Sequence, residues 1–375
     1  MNLRLLHTAD WQLGKPFHNL PVEVAPLLRE ARLAAVRTIA ELAARHEATA
    51  ILVAGDAFDS NFVPERTILQ ALAAMRGFAG PWVLLPGNHD AALAEGVWSR
   101  LERLGRPANV IVADTPRPIL LAEGRVVVLP APLTERHTSD DLTAWMDAAP
   151  TPSGTVRVGL AHGSLAGRLP EAADAANPID PERADRARLD YLGLGDWHGT
   201  LEIGPRTWYA GTPEPDRHRA NDAGNVLLVE LGAPGTAPAV TRLPTARHAW
   251  RQLSLDLSGA PDAKAAVDRL FAGSPGLERA VVQLTLTGMV DLASRATLEA
   301  ALDRWSGEFC HLDVRDELLN EPSERDLLSL GDSPVIGSVA RELAALAHAD
   351  AAQREIASLA LRLLYLEHRR LDPGA

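Results

Sequence analysis

The chain has 375 residues and a mass of 40.2 kDa, enough for two or three domains, and its 46% hydrophobic content suits a globular core. Its 49 acidic residues outnumber 37 basic ones and give a net charge of -12. That balance excludes a protein held to nucleic acid by a large general positive charge, but it leaves room for a local basic groove.

The single cysteine, Cys310, excludes an internal disulfide framework and a thiolate zinc cluster. No apolar stretch approaches the roughly 20 residues that a membrane span needs. The short apolar run at the N-terminus is followed at once by polar residues, so it lacks the long apolar core of a signal peptide. We therefore expect a soluble cytoplasmic protein with no membrane partner.

The first part of the chain alternates between predicted strands and helices. Apolar residues at helical spacing predict helices over residues 24–44 and 64–76. Continuous β-prone runs, which are typical of buried strands, occur at 3–6, 48–54, 82–85, 110–112, 126–129, 156–160, 191–194, 208–210 and 225–230. Buried strands separated by helices indicate an α/β layer architecture.

The composition changes after about Pro244. Predicted strands at 250–257, 280–286 and 311–315 alternate with helices over 262–271 and 296–305, and this βαβαβ order indicates a small separate α/β domain. A polar linker is predicted over 320–334, followed by a long Ala/Leu-rich helical segment over 335–369. Its apolar face could belong to the core or could contact a partner helix.

Five short polar pieces come directly after apolar strand runs. They are Asp10-Trp11-Gln12, Gly55-Asp56, Gly87-Asn88-His89-Asp90, Ala161-His162-Gly163 and Gly195-Asp196-Trp197-His198. Ligand sites form at strand ends in α/β sheets because the loops there converge in one crevice. If the Asp-Trp-X pieces are extended, their first and third residues point to the site together while the tryptophans face away into packing.

The residue types in these pieces suit divalent metal ions. Carboxylate and amide oxygens favour Mg²⁺ or Mn²⁺, and imidazole adds affinity for Mn²⁺, Fe or Zn. Asp56 is the natural bridge of a two-metal site, in which ions roughly 3.5–4 Å apart activate water for displacement at phosphorus. His89, beside Asn88, would protonate the leaving oxygen or stabilise phosphoryl charge.

Each piece alone has a simpler explanation. A Gly-Asp or Asp-x-Gln is more often a turn or a helix cap, and a lone histidine such as His162 is more often a hydrogen-bonded core residue. Asp59 and Arg217 could contact substrate, but a turn residue and a solvated surface arginine are at least as common. The prediction of a metal site therefore depends on the five pieces occurring together, in this order.

The full set resembles the signature of the calcineurin-like metallophosphoesterases: Asp-x-His, Gly-Asp, Gly-Asn-His-Asp/Glu, His and Gly-His-x-His. The strings HTADWQLG at 7–14, VAGDAFDSN at 53–61 and LPGNHD at 85–90 are similar to the SbcD-type DNA repair nucleases. The resemblance covers about residues 7–215. It implies an α/β fold, a four-layer β-sandwich flanked by helices, over 1–244. It also implies an α/β capping domain over 245–320 and a C-terminal helical partner-binding segment over 333–370.

Carried over by position, the resemblance assigns ligands for two divalent ions, most readily Mn²⁺ and alternatively Mg²⁺. Asp10, Gln12, Asp56 and His198 would hold the first ion. Asp56, Asn88, His162 and Asp196 would hold the second. His89 would be the catalytic histidine, and no substrate-binding residue is assigned.

Two positions depart from the family pattern. Gln12 stands where the family usually has histidine, and Asp196 stands where the first histidine of Gly-His-x-His usually lies. The exchanges replace imidazole nitrogen by oxygen and add one negative charge at the second ion, which favours Mn²⁺ or Mg²⁺ over Zn²⁺. Gln12 could instead lie outside the coordination sphere, which would leave the first ion more weakly bound.

The leading hypothesis is a metal-dependent DNA nuclease, an exonuclease with endonuclease activity as a further option. The resemblance implies a homodimer that works with an SbcC-like coiled-coil ATPase of the SMC type in DNA end processing and repair. Two alternatives stay open. The chain could be a metallophosphoesterase for a small nucleotide or phosphoprotein, or a DNA-end binding protein with a degenerate site.

Overall fold

The computed structural model describes residues 3–165, 167–169, 176–290, 292–320 and 334–349, together with the short pieces 356–357, 359–361 and 363–364. The chain divides into two compact units, Met1–Trp250 and Arg251–Ala375.

The first unit is built from fourteen strands and four helices among the described residues. In chain order they are β1 (Leu3–Thr8), α1 (Ala25–Arg45), β2 (Ala50–Val53), α2 (Glu65–Met75), β3 (Trp82–Leu84), α3 (Val97–Arg103), β4 (Val110–Val112), β5 (Ile119–Leu121), β6 (Val126–Ala131), β7 (Val156–His162), β8 (Ser164–Leu165), β9 (Pro178–Ile179), α4 (Arg183–Arg186), β10 (Tyr191–Gly195), β11 (Leu201–Gly204), β12 (Thr207–Tyr209), β13 (Asn225–Leu231) and β14 (Ala239–Pro244).

These strands form two six-stranded sheets. The first sheet has the order β14-β13-β1-β2-β3-β4, in which β1 to β4 run parallel and β13 is antiparallel to β1. The second sheet has the order β11-β12-β10-β7-β6-β5, with a parallel centre of β12, β10, β7 and β6. Because the central strands are buried on both faces, their sequences are continuous apolar runs.

Apolar side chains cover both faces of each sheet and so define the layers of the first unit. Leu52 and Val83 of the first sheet and Val158 of the second meet in a core between the sheets. A second core lies on the other face of the first sheet, where α1, α2 and α3 pack. Ile39 and Ile68 belong to it, and helical spacing brings the apolar side chains of each helix to one face. A third core covers the outer face of the second sheet with a 3₁₀ turn at Ala144–Ala148 and α4. The predicted α/β sandwich flanked by helices is confirmed.

The second unit has its own hydrophobic core. Its elements are β15 (Ala249–Asp256), which begins at the end of the first unit, α5 (Ala263–Phe271), β16 (Ala280–Val290), α6 (Leu292–Ser306), β17 (His311–Asn320) and α7 (Pro334–Ala349). The strands form one sheet in the order β15-β16-β17, with β16 and β17 parallel. Asp262 begins α5 as its N-cap, because its carboxylate accepts a hydrogen bond of 2.9 Å from the Ala265 N–H.

The predicted βαβαβ order is therefore present in this unit. The capping and partner-binding roles given to residues 245–320 and 333–370 stay predictions. The expected linker over 320–334 lies almost entirely outside the described residues. The helix expected over 335–369 is described as α7, and beyond it only as the short helical pieces within 356–364. None of the described helices is long and apolar enough to cross a membrane.

Candidate metal centre

The predicted site residues follow strands that end at one edge of the two sheets. Asp10, Asp56 and Asn88 come after the parallel strands β1, β2 and β3 of the first sheet. In the second sheet, His162 ends β7, and Asp196 follows β10, its parallel neighbour. Parallel strands bring their carboxyl ends to the same side of a sheet, so the topology gathers these side chains as the sequence predicts.

The backbone leaves these strands through sharp turns. Asp10, Gln12, Asp56 and Asp196 all have positive φ, at 54°, 42°, 54° and 96°. The Gln12 N–H donates to the Asp56 carbonyl at 2.8 Å, which ties the first two turns together. The expectation of an extended Asp-Trp-X segment is therefore wrong. The left-handed backbone conformation of Asp10, Gln12 and Asp196 sets the direction of their side chains instead. Trp11 does face into the core as expected, packed edge-on against another tryptophan, Trp82.

Asp10, Asp56 and His162 form a buried group whose ligand atoms all lie within 4.8 Å of one another. The His162 Nε2 atom is 3.6 Å from Asp56 Oδ1 and 3.7 Å from Asp196 Oδ1. It is also 3.2 Å from Asn88 Oδ1. We call these five residues the His162 side of the centre.

The orientation of the His162 ring follows from its other nitrogen. Nδ1 lies 2.8 Å from the Ala54 carbonyl oxygen, which can only accept, so Nδ1 carries a hydrogen and Nε2 faces the carboxylates. Burial alone would lower the pKa of His162, but the charges of Asp56, Asp10 and Asp196 raise it to about 9. Burial raises the pKa of Asp10 to about 6, although His198 and His162 oppose the shift.

Two glycines leave the room that the His162 ring occupies. A Cβ on Gly55, where φ is +88°, would lie 2.2 Å from His162 Nδ1. A Cβ on Gly195 would lie 1.9 Å from the Ala54 carbonyl oxygen and 2.8 Å from the same Nδ1. Any larger residue at either position would therefore displace the ring or the carbonyl that holds it.

The His162 side fits a divalent cation on chemical grounds. Asp10 and Asp56 are 0% and 2% exposed, and their carboxylates offer oxygens within 4.8 Å of each other. Two negative charges buried this close together are destabilising unless a cation compensates them. Within the described part of the chain, Asp10, Asp56 and Asp196 form their ion pairs with histidines. Carboxylate, amide and imidazole donors are the set that Mn²⁺ and Mg²⁺ accept.

Gln12 and His198 lie together on the other side of the centre, which we call the His198 side. Their Nε2 atoms are 3.3 Å apart, and the Gln12 oxygen accepts a hydrogen bond of 2.8 Å from Lys15. The His198 Nδ1 atom is 3.3 Å from both oxygens of Asp216. Two of the four predicted ligands of the first ion, Gln12 and His198, therefore lie together here, while Asp10 and Asp56 lie on the His162 side, and Gln12 already has two partners.

Asp216 organises the His198 side. Its carboxylate is 1% exposed and pairs with Lys15 at 2.6 Å, Arg32 at 3.2 Å and Arg217 at 2.9 Å. Burial would raise its pKa, but His198, Arg32 and Lys15 hold the pKa of Asp216 well below its usual range. Asp216, Lys15 and Arg32 are not among the residues predicted from the sequence. The charged residues after Gly211-Thr212-Pro213 are the only local signal for Asp216, and they give none for Lys15 or Arg32.

His89 lies at the open side of the centre, with its side chain 31% exposed. Its backbone N–H donates to Asp56 Oδ1 at 2.9 Å, and its Nδ1 donates to the Asp59 carbonyl at 2.9 Å. Nε2 is left facing the site, 4.0 Å from Asp56 Oδ2. The next residue, Asp90, is buried and fixes the loop by accepting the Gly87 and Phe58 N–H groups.

All eight predicted site residues thus lie in one region of the first unit. The structure brings Asp10, Asp56, Asn88, His162 and Asp196 to one side, pairs Gln12 with His198 on the other, and sets His89 beside Asp56. Their roles as ligands and catalyst remain predictions.

The sequence of the chain is similar to those of known proteins. Residues 3–171 match the family model described as calcineurin-like phosphoesterase. The DNA double-strand break repair protein Mre11 of Aeropyrum pernix is 28% identical over 291 residues, covering 71% of this chain and 66% of that protein. The SbcD component of the nuclease SbcCD from Rhodobacter capsulatus is 28% identical over 352 residues, covering 80% of this chain and 84% of that protein.

The SbcD component of the nuclease SbcCD from Escherichia coli strain K12 is 37% identical over a shorter stretch of 92 residues, which is 24% of this chain and 22% of that protein. The matched segment 3–171 contains Asp10, Asp56, Asn88 and His162. Metallophosphoesterases of this family use divalent metal ions, in keeping with the buried donor group. The chain thus contains a calcineurin-like metallophosphoesterase domain and is a relative of the proteins named Mre11 and SbcD.

Proposed function

We propose that the chain is a metal-dependent nuclease that hydrolyses phosphodiester bonds in DNA, as an exonuclease with endonuclease activity as a further option. The observation that carries the proposal is the buried convergence of Asp10, Asp56 and His162 within 4.8 Å in a phosphoesterase domain. Relatives whose names specify nuclease and DNA repair activity support DNA as the substrate.

The proposed cofactors are two divalent ions, Mn²⁺ by preference and Mg²⁺ as the alternative, held by the residues of the His162 and His198 sides. Such ions, when bound, supply an activated water and neutralise charge on the phosphoryl oxygens. Asp56 is the residue we expect both sides to share, because its Oδ1 lies 3.6 Å from His162 Nε2 and its backbone carbonyl accepts the Gln12 N–H at 2.8 Å. The Asp56 carboxylate packs closely against Gly87, where a Cβ would lie 2.2 Å from Asp56 Oδ1, so this position accepts only glycine.

The proposed task of His89 is to hold a proton at Nε2 for the leaving oxygen of the phosphodiester, or to donate a hydrogen bond to a phosphoryl oxygen. Its Nδ1 is already committed to the Asp59 carbonyl, so Nε2 is the only ring nitrogen available to substrate. Partial exposure of the ring leaves that nitrogen accessible from the open side.

We further propose a homodimer that works in the cytoplasm with an SbcC-like coiled-coil ATPase. The names of two relatives describe each as one component of a nuclease complex. In the second unit, α7 carries exposed apolar side chains at Val335, Val339 and Leu346, which suits the proposed contact of residues 333–370 with a partner helix. Residues 245–320 would be the DNA-facing cap.

The test is cleavage of linear DNA by the purified chain with Mn²⁺, with and without the partner ATPase, beside the variant Asn88→Ala. Loss of cleavage in the variant, with Mn²⁺ dependence in the wild type, supports the proposal. Rapid hydrolysis of cyclic nucleotides without DNA cleavage would instead indicate a small-substrate phosphoesterase. DNA binding with neither Mn²⁺ uptake nor cleavage would indicate a DNA-end binding protein with a degenerate site.

A further inference from the structure

We infer that Lys15 is a positioning residue that locks the Gln12 side chain against His198. As a consequence, the chain binds one divalent ion tightly at the His162 side and a second one much more weakly at the His198 side. The inference rests on the proposed metal-dependent function, but it concerns how many ions bind and how tightly.

The contacts of the Gln12 amide fix its orientation. Lys15 Nζ lies 2.8 Å from one terminal atom of Gln12, and an ammonium group can only donate hydrogen bonds. The atom that faces Lys15 must therefore be the carbonyl oxygen of the amide. The amide NH₂ group consequently faces His198 Nε2, at 3.3 Å.

The Gln12 NH₂ group therefore occupies the space in front of His198 Nε2. The other ring nitrogen, Nδ1, is turned toward Asp216, whose two oxygens are both 3.3 Å away, and toward Arg217 Nη2 at 3.0 Å. Nε2 is thus the nitrogen that a divalent ion on this side would need, so Gln12 and the ion compete for the same atom.

Gln12 cannot turn its oxygen toward an ion without losing hydrogen bonds. Rotating the amide by half a turn would place its NH₂ group against the Lys15 ammonium, donor against donor, and would break both present hydrogen bonds. Lys15 is itself anchored, because Nζ bonds to the buried Asp216 at 2.6 Å and its backbone N–H donates to the Gln12 carbonyl at 3.1 Å. Its neighbour Gly14 has φ of +95° and no room for a Cβ beside Val63.

The His162 side has no such lock among the described residues. The ring of His162 is held by a backbone carbonyl through Nδ1, and its Nε2 faces the oxygens of Asn88, Asp56 and Asp196. Those oxygens would all turn to an ion without giving up a lysine or an arginine partner. The difference between the two sides is therefore a matter of competing hydrogen bonds as well as of ligand type.

The experiment is Mn²⁺ binding by titration calorimetry, with electron paramagnetic resonance to distinguish isolated ions from a coupled pair. The wild type should bind one ion tightly and a second at least about tenfold more weakly, giving an isolated-ion spectrum at one equivalent. Lys15→Met should tighten the second ion by about tenfold or more and yield the coupled spectrum at two equivalents. Asp216 keeps Arg32 and Arg217 as partners in this variant.

Two controls separate the hydrogen bond from general effects. Lys264→Met removes the only other lysine of the chain, which pairs with Asp268 in the second unit, and should leave both affinities unchanged. Arg217→Met removes a cation that contacts the same Asp216 and the Nδ1 atom of His198, but not Gln12. If positive charge alone weakens the second ion, Arg217→Met will tighten it as much as Lys15→Met does, and the inference is overturned.

A second variant keeps the inference testable if Lys15→Met does not fold. Gln12→Ala removes the amide that covers His198, so the second ion should bind more tightly or equally well. Weaker binding in Gln12→Ala would show that Gln12 is a ligand and would overturn the inference, as would two equally tight ions in the wild type. Absence of Mn²⁺ binding in every variant would instead contradict the proposed metal-dependent function itself.

Discussion

The two sides of the candidate metal centre use similar side chains and surround them differently. On the His162 side, three carboxylates and an amide face one imidazole, and the anionic oxygens have histidines as their ion-pair partners among the described residues. On the His198 side, Lys15, Arg32 and Arg217 converge on Asp216, which holds the histidine. We infer from the difference that the hydrogen-bond partners of a donor atom, as well as its residue type, decide whether it is available to an ion.

The largest expected effect comes from Asp56→Asn, which replaces the carboxylate that we expect both sides to share by a neutral amide. Loss of its anionic oxygen should remove Mn²⁺ binding on both sides and lower phosphodiesterase activity by about 10³-fold or more. Calorimetry and hydrolysis of a chromogenic phosphodiester measure the two effects. Asp114→Asn, which neutralises an exposed carboxylate of the same unit, is the control. Loss of only one ion in Asp56→Asn would show that the two sides do not share Asp56.

His89→Gln tests a residue that lies beside Asp56 and is assigned to neither ion. We expect kcat to fall by about 10²–10³-fold because no group is left to hold a proton at the position of Nε2. Mn²⁺ affinity should stay within about twofold, since no ligand is lost. The exposed His137→Gln is the matched control. A drop in Mn²⁺ affinity as large as the drop in kcat would assign His89 to the ligands instead.

Removing the ions should destabilise the first unit, because the buried carboxylates of the His162 side then face one another uncompensated. An ion present at 100 times its Kd contributes about 2.7 kcal/mol, which corresponds to a fall in Tm of about 5–10 °C for a unit of this size. Calorimetric melting with Mn²⁺ and with EDTA measures the shift. Asp56→Asn should show almost no difference between the two conditions. An equal shift in that variant would place the stabilising ion elsewhere.

The smallest expected effect is confined to the His198 side. Asp216→Asn loosens the ring of His198, and changes of this kind typically cost about 10–100-fold in metal affinity. We expect the weak ion to lose about tenfold in affinity while the tight ion on the His162 side changes by less than about twofold. Asp222→Asn, at an exposed carboxylate paired with Arg242, is the control. Equal losses for both ions would mean that the two sides are not separable.

Most of the fold is predictable from the sequence because the central helices and strands have clear hydrophobic patterns. The periodic helix α1 and the apolar run of β2 are found within one or two residues of their predicted ends. The edge strand β14 was missed because it is largely exposed, with the polar residues Thr241 and Arg242 in its middle, so its place depends on pairing with β13. The seven-residue α3 was missed because it is too short for a helical period to show.

The sequence predicts which residues lie at the site, but not the hydrogen bonds that hold them. All eight predicted site residues follow the ends of apolar strands, where polar side chains are unusual. Lys15 and Asp216 were missed because they act through Gln12 and His198, and 201 residues separate them. No local pattern encodes a hydrogen bond across that distance, and the left-handed turns at Asp10 and Asp56 also emerge only in three dimensions.

The residues of the candidate metal centre are far apart in the sequence, so they leave the ribosome at different times during translation. The Asp196 N–H that bonds to the Asp10 carboxylate is 186 residues further along the chain. At about 5–20 residues per second, it leaves the ribosome roughly 10–40 s after Asp10. Strand β1 waits longer still for its antiparallel neighbour β13, which pairs Leu5 with Val229. A nascent chain therefore exposes the first carboxylates well before the complete set of donors exists, and binding of an ion would report that both sheets have been completed.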